Sequence, residues 1–280
     1  MSFQKFNPYL RYIQKVIGYR PYNEMICSFD FRMFYVLKGT FDVEFSNHIK
    51  HLSPGDCLVF PPGTPYKLNM DKDSKSEYYI LNFDFDSKKH SQAARAPIPT
   101  HIFSPDDIFS KFVIEPFEQI FILHAVDVIE PLLKEIESYD SDLKNTAEYM
   151  QSALLKKTLC HLMILDTERK TAENKNDLIK KTKDFIQVNY SKNITNDVIA
   201  SKMGYHSYYL NSLFVKHEGI SLHKYLETMR LEKAKKLLSS SGEKISDIAN
   251  KCGFTDASYF TKFFFKQVGI TPKDYRNLSK

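Results

Sequence analysis

Two short stretches of this 280-residue chain carry, at matching positions, side-chain types that contact base edges in a DNA major groove. Hydroxyl, amide, cationic and small apolar groups suit this chemistry, because base edges present hydrogen-bond donors, acceptors and the thymine methyl. If each stretch is a helix, these positions face outward together. The predicted base-contacting residues are Ser207, Tyr208, Asn211 and Ser212 in the first stretch, and Ala257, Ser258, Thr261 and Lys262 in the second.

Both stretches belong to an internal repeat. Each copy has a short helical segment, a Gly turn, a longer helical segment and a terminating Gly. This order of elements is that of a helix-turn-helix unit. Ala200 and Ala249 allow the two helices to cross closely, and Gly204 and Gly253 tolerate a positive φ. The identities, at an offset of 49 and then 50 residues, are Ile199/Ile248, Ala200/Ala249, Lys202/Lys251, Gly204/Gly253, Tyr209/Tyr259, Phe214/Phe264, Lys216/Lys266, Gly219/Gly269 and Ile220/Ile270.

A long helix is predicted between the copies, over residues 222–238. Seventeen residues rising by about 1.5 Å each give a spacer of about 25 Å. Such a spacer could set two recognition helices into successive major-groove segments, which lie about 34 Å apart. Basic residues around the units are the predicted phosphate contacts, which position a protein without carrying sequence information. They are Lys216, Lys224, Lys233, Lys266 and Arg276.

The charge is unevenly distributed along the chain. Residues 176–280 contain 18 basic and 10 acidic residues, whereas the remainder contains 21 basic and 24 acidic residues. A basic C-terminal part joined to a mildly acidic N-terminal part is typical of a sensor coupled to a nucleic-acid-binding module. Solvated lysine-rich helices are the simpler alternative for the charge alone.

The N-terminal part has the pattern of short β-strands. Residues 29–37 and 78–85 are dense in aromatic and branched residues, Phe41–Phe45 alternates apolar with polar residues, and Cys57–Phe60 is a short apolar run. Pro- and Gly-containing turns at residues 53–56 and 61–65 separate them. Strands at this spacing predict a sandwich or a barrel.

Helical periodicity follows over residues 126–168, with apolar stripes through Val126, Ile129, Leu132, Leu133 and Ile136 and then Met150, Leu154, Leu155, Leu159, Leu162 and Leu165. These stripes either pack on the barrel or form a dimer interface, and both alternatives remain open at this point. The polar, pattern-free residues 171–176 are the predicted linker between residues 1–170 and residues 177–280.

The C-terminal residues resemble the DNA-binding domain of the AraC/XylS family of bacterial transcription regulators. The resemblance spans residues 176–280 and is carried by the two repeat copies, by Tyr225, Leu226, Arg230, Leu231, Ala234, Leu237 and Leu238 between them, and by Thr271, Pro272, Tyr275 and Arg276 after them. It implies sequence-specific binding to double-stranded DNA and contact with RNA polymerase. One departure is that the family often has a long Arg or Gln where this chain has Asn211 and Ser212.

The N-terminal residues resemble, more loosely, the cupin-like effector barrel of sugar-responsive members of that family. The resemblance lies at residues 37–39, 52–65 and 78–83. It implies a two-domain α+β protein, a cupin-like β-barrel with trailing helices followed by an all-α domain. It also implies a homodimeric, sugar-responsive activator with a small ligand inside the barrel. The residues expected to line that pocket are Arg32, Tyr66, Tyr78 and Ile80; a barrel that serves only dimerisation is the alternative.

Other function classes lack their residues in this sequence. A metal cupin enzyme needs a cluster of His with a Glu, and His48 and His51 are three residues apart across a turn. No nucleophile–base pair or Gly-rich phosphate loop occurs, so we expect neither an enzyme nor a cofactor. The sequence has no apolar run of 18 residues and no signal-peptide pattern. Four scattered cysteines predict reduced thiols and hence a cytoplasmic protein. The lack of a long apolar run predicts that the protein has no membrane partner.

Overall fold

The computed structural model describes residues 6–18, 23–71, 75–85, 94–139 and 144–278. The chain divides into two compact units, Met1–Glu168 and Arg169–Lys280. The first unit combines strands with helices, and the elements within the described residues of the second unit are all helices. This arrangement confirms the predicted two-domain α+β fold class.

Two five-stranded antiparallel sheets form the first unit. One has the strand order β1-β8-β3-β6-β10 and the other β5-β4-β7-β2-β9. The strands are β1 Tyr9–Ile17, β2 Ile26–Cys27, β3 Phe31–Lys38, β4 Phe41–Phe45, β5 His48–Leu52, β6 Cys57–Phe60, β7 Tyr66–Asn69, β8 Glu77–Asp84, β9 Ile98–Pro99 and β10 Phe121–Leu123.

Side-chain alternation along β3 separates two hydrophobic cores. Phe34 and Val36 point into a core shared by both sheets, whereas Met33 and Tyr35 point to the opposite face of their own sheet. Because that sheet is covered on both faces, β3, β6 and β8 are nearly continuous apolar runs. The predicted strands at residues 41–45 and 57–60 are confirmed, and those at residues 29–37 and 78–85 are confirmed with end shifts of one or two residues.

Helices cover the outer face of this sheet. Short 3-10 turns occur at Thr100–Ile102, Pro105–Asp107 and Asp127–Ile129, and helix α1 spans Glu130–Ser138 with Pro131 in its first turn. Helix α2 spans Lys144–Asn189. Leu155, Leu159 and Leu162 of α2 are buried in the core that contains Met33 and Tyr35. Packing on the barrel therefore accounts for this part of the predicted stripe.

The predicted linker lies inside a helix. Residues 171–176 belong to α2 and are all exposed, and the division between the two units also falls within α2. These residues contain no Gly or Pro and include Ala172, Glu173 and Lys175, which favour helix. A helical segment that is polar on all sides is typical of a solvated connection. The role of residues 171–176 as a linker remains a prediction.

The second unit contains the end of α2 and six further helices. They are α3 Asn196–Met203, α4 Ser207–Glu218, α5 Leu222–Ser240, α6 Ile245–Lys251, α7 Ala257–Val268 and α8 Pro272–Leu278. The predicted spacer helix over residues 222–238 is confirmed as α5. Thr195 and Ser221 cap α3 and α5 by accepting backbone N–H groups, and Gly219 and Gly269 end α4 and α7 with positive φ.

Helix α5 contributes to two separate cores. Its first half supplies Leu222 and Leu226 to a core with α2, α3 and α4. Its second half supplies Leu231, Ala234 and Leu238 to a core with α6 and α7. The second unit thus consists of two helix-turn-helix modules that share one helix.

Candidate nucleic-acid interface

The first predicted recognition helix is α4, which presents one exposed face. Leu210 and Phe214 are fully buried and hold α4 on the first module. On the opposite side, Tyr208 is 81% exposed and Ser212 is exposed, whereas Ser207 is half-buried. The structure therefore brings these three predicted base-contacting residues to one helix.

Asn211 also lies on α4, but its side chain already has a structural partner. Its Oδ1 accepts a hydrogen bond of 3.0 Å from the backbone N–H of Leu222. This bond satisfies one of the unpaired N–H groups at the start of α5. The bidentate recognition of adenine uses both the oxygen and the nitrogen of an Asn side chain. The bond from Leu222 occupies one of the two acceptor sites of the Asn211 oxygen, and the nitrogen can still donate to a base.

The second predicted recognition helix is α7. Asp256 caps it by accepting the N–H groups of Ser258 and Tyr259 at 2.7 and 3.2 Å. Ser258 and Lys262 are exposed, and Ala257 and Thr261 are half-buried. The hydroxyl of Thr261 donates to the carbonyl oxygen of Ala257 at 2.9 Å. Among the predicted base-contacting residues, Lys262 therefore combines an exposed position with a positive charge.

The predicted phosphate-contacting residues fall into two groups. Lys216 and Lys266 are exposed at the ends of the two recognition helices. The other three have partners: the ammonium of Lys224 donates to Gln267 at 3.2 Å, Lys233 lies over the ring of Tyr190, and Arg276 donates to the carbonyl oxygen of Glu243 at 2.6 Å. Their cationic groups thus already contact other residues of the domain.

The predicted effector residues lie in the core between the two sheets of the first unit. Tyr66, Tyr78 and Ile80 are all buried there. Phenylalanines surround the two tyrosine rings, with centroid distances of 4.8 Å between Tyr66 and Phe60 and 4.9 Å between Tyr78 and Phe41. A separate polar cleft of about 520 Å³ is lined by Thr40, Asp42, His51, Lys67 and Asn69, among others, and by none of the predicted residues.

Arg32 lies in a buried polar cluster that the sequence analysis missed. Its Nε is 3.6 Å from Oδ1 of Asp30, and Asn82 faces it in the register of β3 and β8. Asp84, paired with Arg11, completes the cluster. Burial raises the pKa of Asp30 to about 7, although the nearby Arg32 lowers it. Charged residues at alternate, inward positions of aromatic strands were the available sequence signal.

Comparison with known proteins identifies both regions. The family described as a helix-turn-helix domain, which is of the AraC type, matches residues 199–278 and thus includes both modules. The cupin domain family matches residues 30–81. The HTH-type transcriptional activator RhaR from Yersinia pestis is 48% identical over 67 residues, which are 24% of this chain and 23% of RhaR. The chain is thus similar to AraC-type regulators over its helix-turn-helix residues.

A second relative is the uncharacterized HTH-type transcriptional regulator YijO from Escherichia coli. It is 33% identical over 113 residues, and the match spans 40% of this chain and 40% of YijO. Among solved structures, the C-terminal domain of the two-component response regulator yesN from Fusobacterium nucleatum is 38% identical with a TM-score of 0.35, covering 37% of this chain and 98% of that chain.

The sequence analysis did not single out three exposed aromatic residues of the helix-turn-helix domain as functional candidates. Tyr205 and Tyr209 stack at 5.4 Å beside α4, and each is nearly half exposed. Phe265 of α7 is 53% exposed. Tyr205 lies in the turn before α4 and Tyr209 in the first turn of α4, so helical spacing alone did not predict their contact.

Two searches of the described residues gave negative findings. No group of three or more His, Cys, Asp or Glu side chains in the described part of the chain could hold a metal ion. Of the helices within those same ranges, none combines the length and apolar character required to span a membrane.

Proposed function

We propose that the chain is a transcription regulator that binds a specific DNA sequence with both helix-turn-helix modules. The observation that carries this proposal is the pair of recognition helices, α4 and α7, in one basic domain. Each is held by buried aromatic residues on one side and presents small polar and cationic side chains on the other. A regulator of this kind acts in the cytoplasm, where bacterial DNA lies.

The length of α5 supports simultaneous binding by both modules. Its 19 residues correspond to about 28 Å at 1.5 Å per residue. This length is comparable to the distance of about 34 Å between successive major-groove segments on one side of a duplex. We assign base contacts to the eight predicted residues of α4 and α7, with Asn211 acting through its nitrogen. We assign phosphate contacts to Lys216, Lys224, Lys233, Lys266 and Arg276.

Selection of bound sites from a random duplex library, with the full chain at fixed and stated salt, tests this function. Enrichment of a two-part site, with its parts about 10 bp apart, is the expected result. Enrichment of one part only would mean that one module chiefly holds the DNA backbone. Salt-sensitive binding without any enrichment would contradict sequence-specific regulation.

Two lysine variants separate base contacts from phosphate contacts. Lys262→Ala is expected to reduce the preference for the selected sequence by about 1–3 kcal/mol, whereas Lys216→Ala weakens binding to all sequences and lowers the salt slope by about 1. Titrations of the selected site and of a scrambled duplex at several salt concentrations measure both effects. If Lys262→Ala weakened every duplex equally, its assignment to base contact would be wrong.

We further propose that the cupin domain binds a small effector, probed first with sugars. The support is Arg32, whose buried Nε and Nη2 have no hydrogen-bond partner among the described residues. A buried donor without a partner costs about 1–3 kcal/mol, which a hydroxyl of a ligand would recover. The aromatic rings beside it suit the apolar faces of a sugar.

A regulator without a ligand, whose barrel serves only dimerisation, is the alternative. Exposed apolar side chains on α2, namely Tyr149, Met150 and Ile164, suit a homodimer. Thermal unfolding in the presence of a panel of sugars distinguishes the two. A rise in melting temperature with one sugar at pH 5.5, absent in Arg32→Met at the same pH, where this variant is expected to be less destabilised than at pH 8, supports an effector whose binding alters DNA occupancy and contact with RNA polymerase. No shift with any sugar favours the alternative.

A further inference from the structure

The two helix-turn-helix modules meet at a narrow junction. Their hydrophobic cores are separate, and the apolar residues that α5 gives to the first core end at Leu226 and those given to the second begin at Leu231. A shared helix alone leaves the modules able to rotate by repacking their own side chains on it. Contacts between the modules at this part of α5 therefore bear directly on their relative orientation.

Arg230 occupies that position on α5 and contacts both modules. Its Nε donates to the carbonyl oxygen of Tyr190 at 2.8 Å, and its Nη2 donates to that of Lys192 at 2.9 Å. These carbonyls follow the end of α2 in the first module. On the other side, the guanidinium lies 5.8 Å from the ring centre of Phe254 in the second module.

The geometry of these bonds suits a fixed junction. A guanidinium holds its donors in one plane, so two carbonyl acceptors define its orientation. Positive charge is also favourable at the C-terminal end of a helix, where the carbonyls of α2 carry partial negative charge. A Cβ on Gly253 would lie 2.5 Å from the same carbonyl oxygen of Tyr190. The turn of the second module thus approaches the backbone that Arg230 holds.

Other contacts across the junction are between side chains, and they include Lys233 over the ring of Tyr190. The hydroxyl of Tyr259 donates to Glu227 at 3.4 Å, and Lys224 donates to Gln267 at 3.2 Å. Exposed side-chain pairs of this kind contribute little. The two hydrogen bonds of Arg230 end on backbone atoms, which cannot move without moving the module.

We infer that Arg230 is a positioning residue that fixes the angle between the two modules, and thereby the one spacing of half-sites that the protein accepts. The inference rests on the proposed function, because it concerns how two DNA-binding modules act together. Arg230 itself contacts no base in this assignment. Its effect is on the geometry of α4 relative to α7.

Binding to a spacing series tests the inference. The full chain, wild type or Arg230→Ala, is titrated with duplexes in which the selected half-sites are moved apart or together by one and two base pairs. Each added base pair rotates one half-site by about 34° and shifts it by about 3.4 Å. Wild type is expected to lose affinity at least about tenfold per step, a loss of about 1.4 kcal/mol. Arg230→Ala is expected to lose less than about threefold.

Matched variants separate positioning from general stability. Arg230→Lys keeps the charge but cannot donate to both carbonyls in fixed geometry, so its spacing dependence should lie between those of the other two. Glu232→Ala changes an exposed residue of the same helix whose carboxylate pairs with Lys235, and it should reproduce the wild-type profile. Thermal unfolding confirms that each variant is folded.

A measurement without DNA keeps the inference testable if no two-part site is found. Spin labels on Lys202→Cys and Ser246→Cys, both exposed, report the distance between the modules in a Cys160→Ser background. A narrow distance distribution in wild type that broadens in Arg230→Ala supports the inference. An unchanged distribution, or equal loss of affinity at every spacing, overturns it. Absence of a two-part site with a broadened distribution contradicts the proposed function alone.

Discussion

Gly253→Ala is expected to destabilise the second helix-turn-helix module by about 3 kcal/mol, whereas Gly204→Ala at the corresponding position of the first module costs about 1 kcal/mol. Both glycines have positive φ, +85° and +78°, which costs an L-residue about 1–2 kcal/mol. They differ in their surroundings. A Cβ on Gly253 would lie 2.5 Å from the carbonyl oxygen of Tyr190, but a Cβ on Gly204 would meet nothing within 4 Å.

The clash has a high cost in the free energy of unfolding, because the neighbouring atom belongs to the backbone. The carbonyl of Tyr190 also accepts the hydrogen bond from Arg230, so moving it breaks a second interaction. Overpacking of this kind costs a further 1–3 kcal/mol or so. Native-state hydrogen exchange of the full chain measures each module separately, through peptides from α4 and α7. Equal loss of protection in the two variants would contradict the role given to the contact with Tyr190.

Gly204 and Gly253 also illustrate what the internal repeat could and could not predict. The nine identities in register predicted both helix-turn-helix modules, since Gly turns and buried aromatic positions are local signals. They did not predict that one Gly contacts a distant backbone and the other does not. That difference depends on which part of the chain packs against each turn, and a repeat carries no information about such neighbours.

Strand prediction succeeded where the apolar pattern was clear. The residues of β4 and β6 were identified without error, because strict alternation and a short apolar run are clear patterns. Strand β1 was missed: its sequence mixes Arg11, Gln14 and Lys15 with apolar residues, and it lies at the edge of its sheet with most side chains half-buried. A register shift between Leu10 and Tyr12 also interrupts the alternation of its side chains.

The sequence predicted where the candidate site residues lie on the helices, but not which other residues they contact. The exposed faces of α4 and α7 followed from helical spacing. The bond from Asn211 to the backbone of Leu222 did not, because it joins α4 to the start of the next helix. The polar cluster around Arg32 likewise assembles residues from β1, β3 and β8, which only strand pairing brings together.

A substitution in that polar cluster is the other change for which a large loss of stability is expected. Arg32→Met should destabilise the first unit by about 3–5 kcal/mol at pH 8, the range measured when one member of a buried ion pair is removed. Asp30 would keep its buried carboxylate without the adjacent guanidinium. The remaining groups around it are Asp84, which raises its pKa, and Arg11 and Asn82, which lower it less than Arg32 does.

The same change should cost less at pH 5.5. The pKa of Asp30 in the folded protein is about 7, above its usual value near 4. A raised pKa means that the folded state binds the proton more tightly. The resulting stability is fully present below about pH 4 and is lost as the pH rises through 7. Removing Arg32, which lowers this pKa, moves it higher still, so Asp30 in the variant is protonated at pH 5.5.

Scanning calorimetry of the full chain at pH 5.5 and 8.0 measures this difference. Arg32→Met is expected to lower the melting temperature of the first unit more at pH 8.0. Asp30→Asn provides the matched control, because an amide has no proton to take up and should flatten the pH dependence between those values. If Arg32→Met cost the same at both pH values, the loss would come from packing of the arginine stem. Pairing with Asp30 would then not be the reason this buried charge is tolerated.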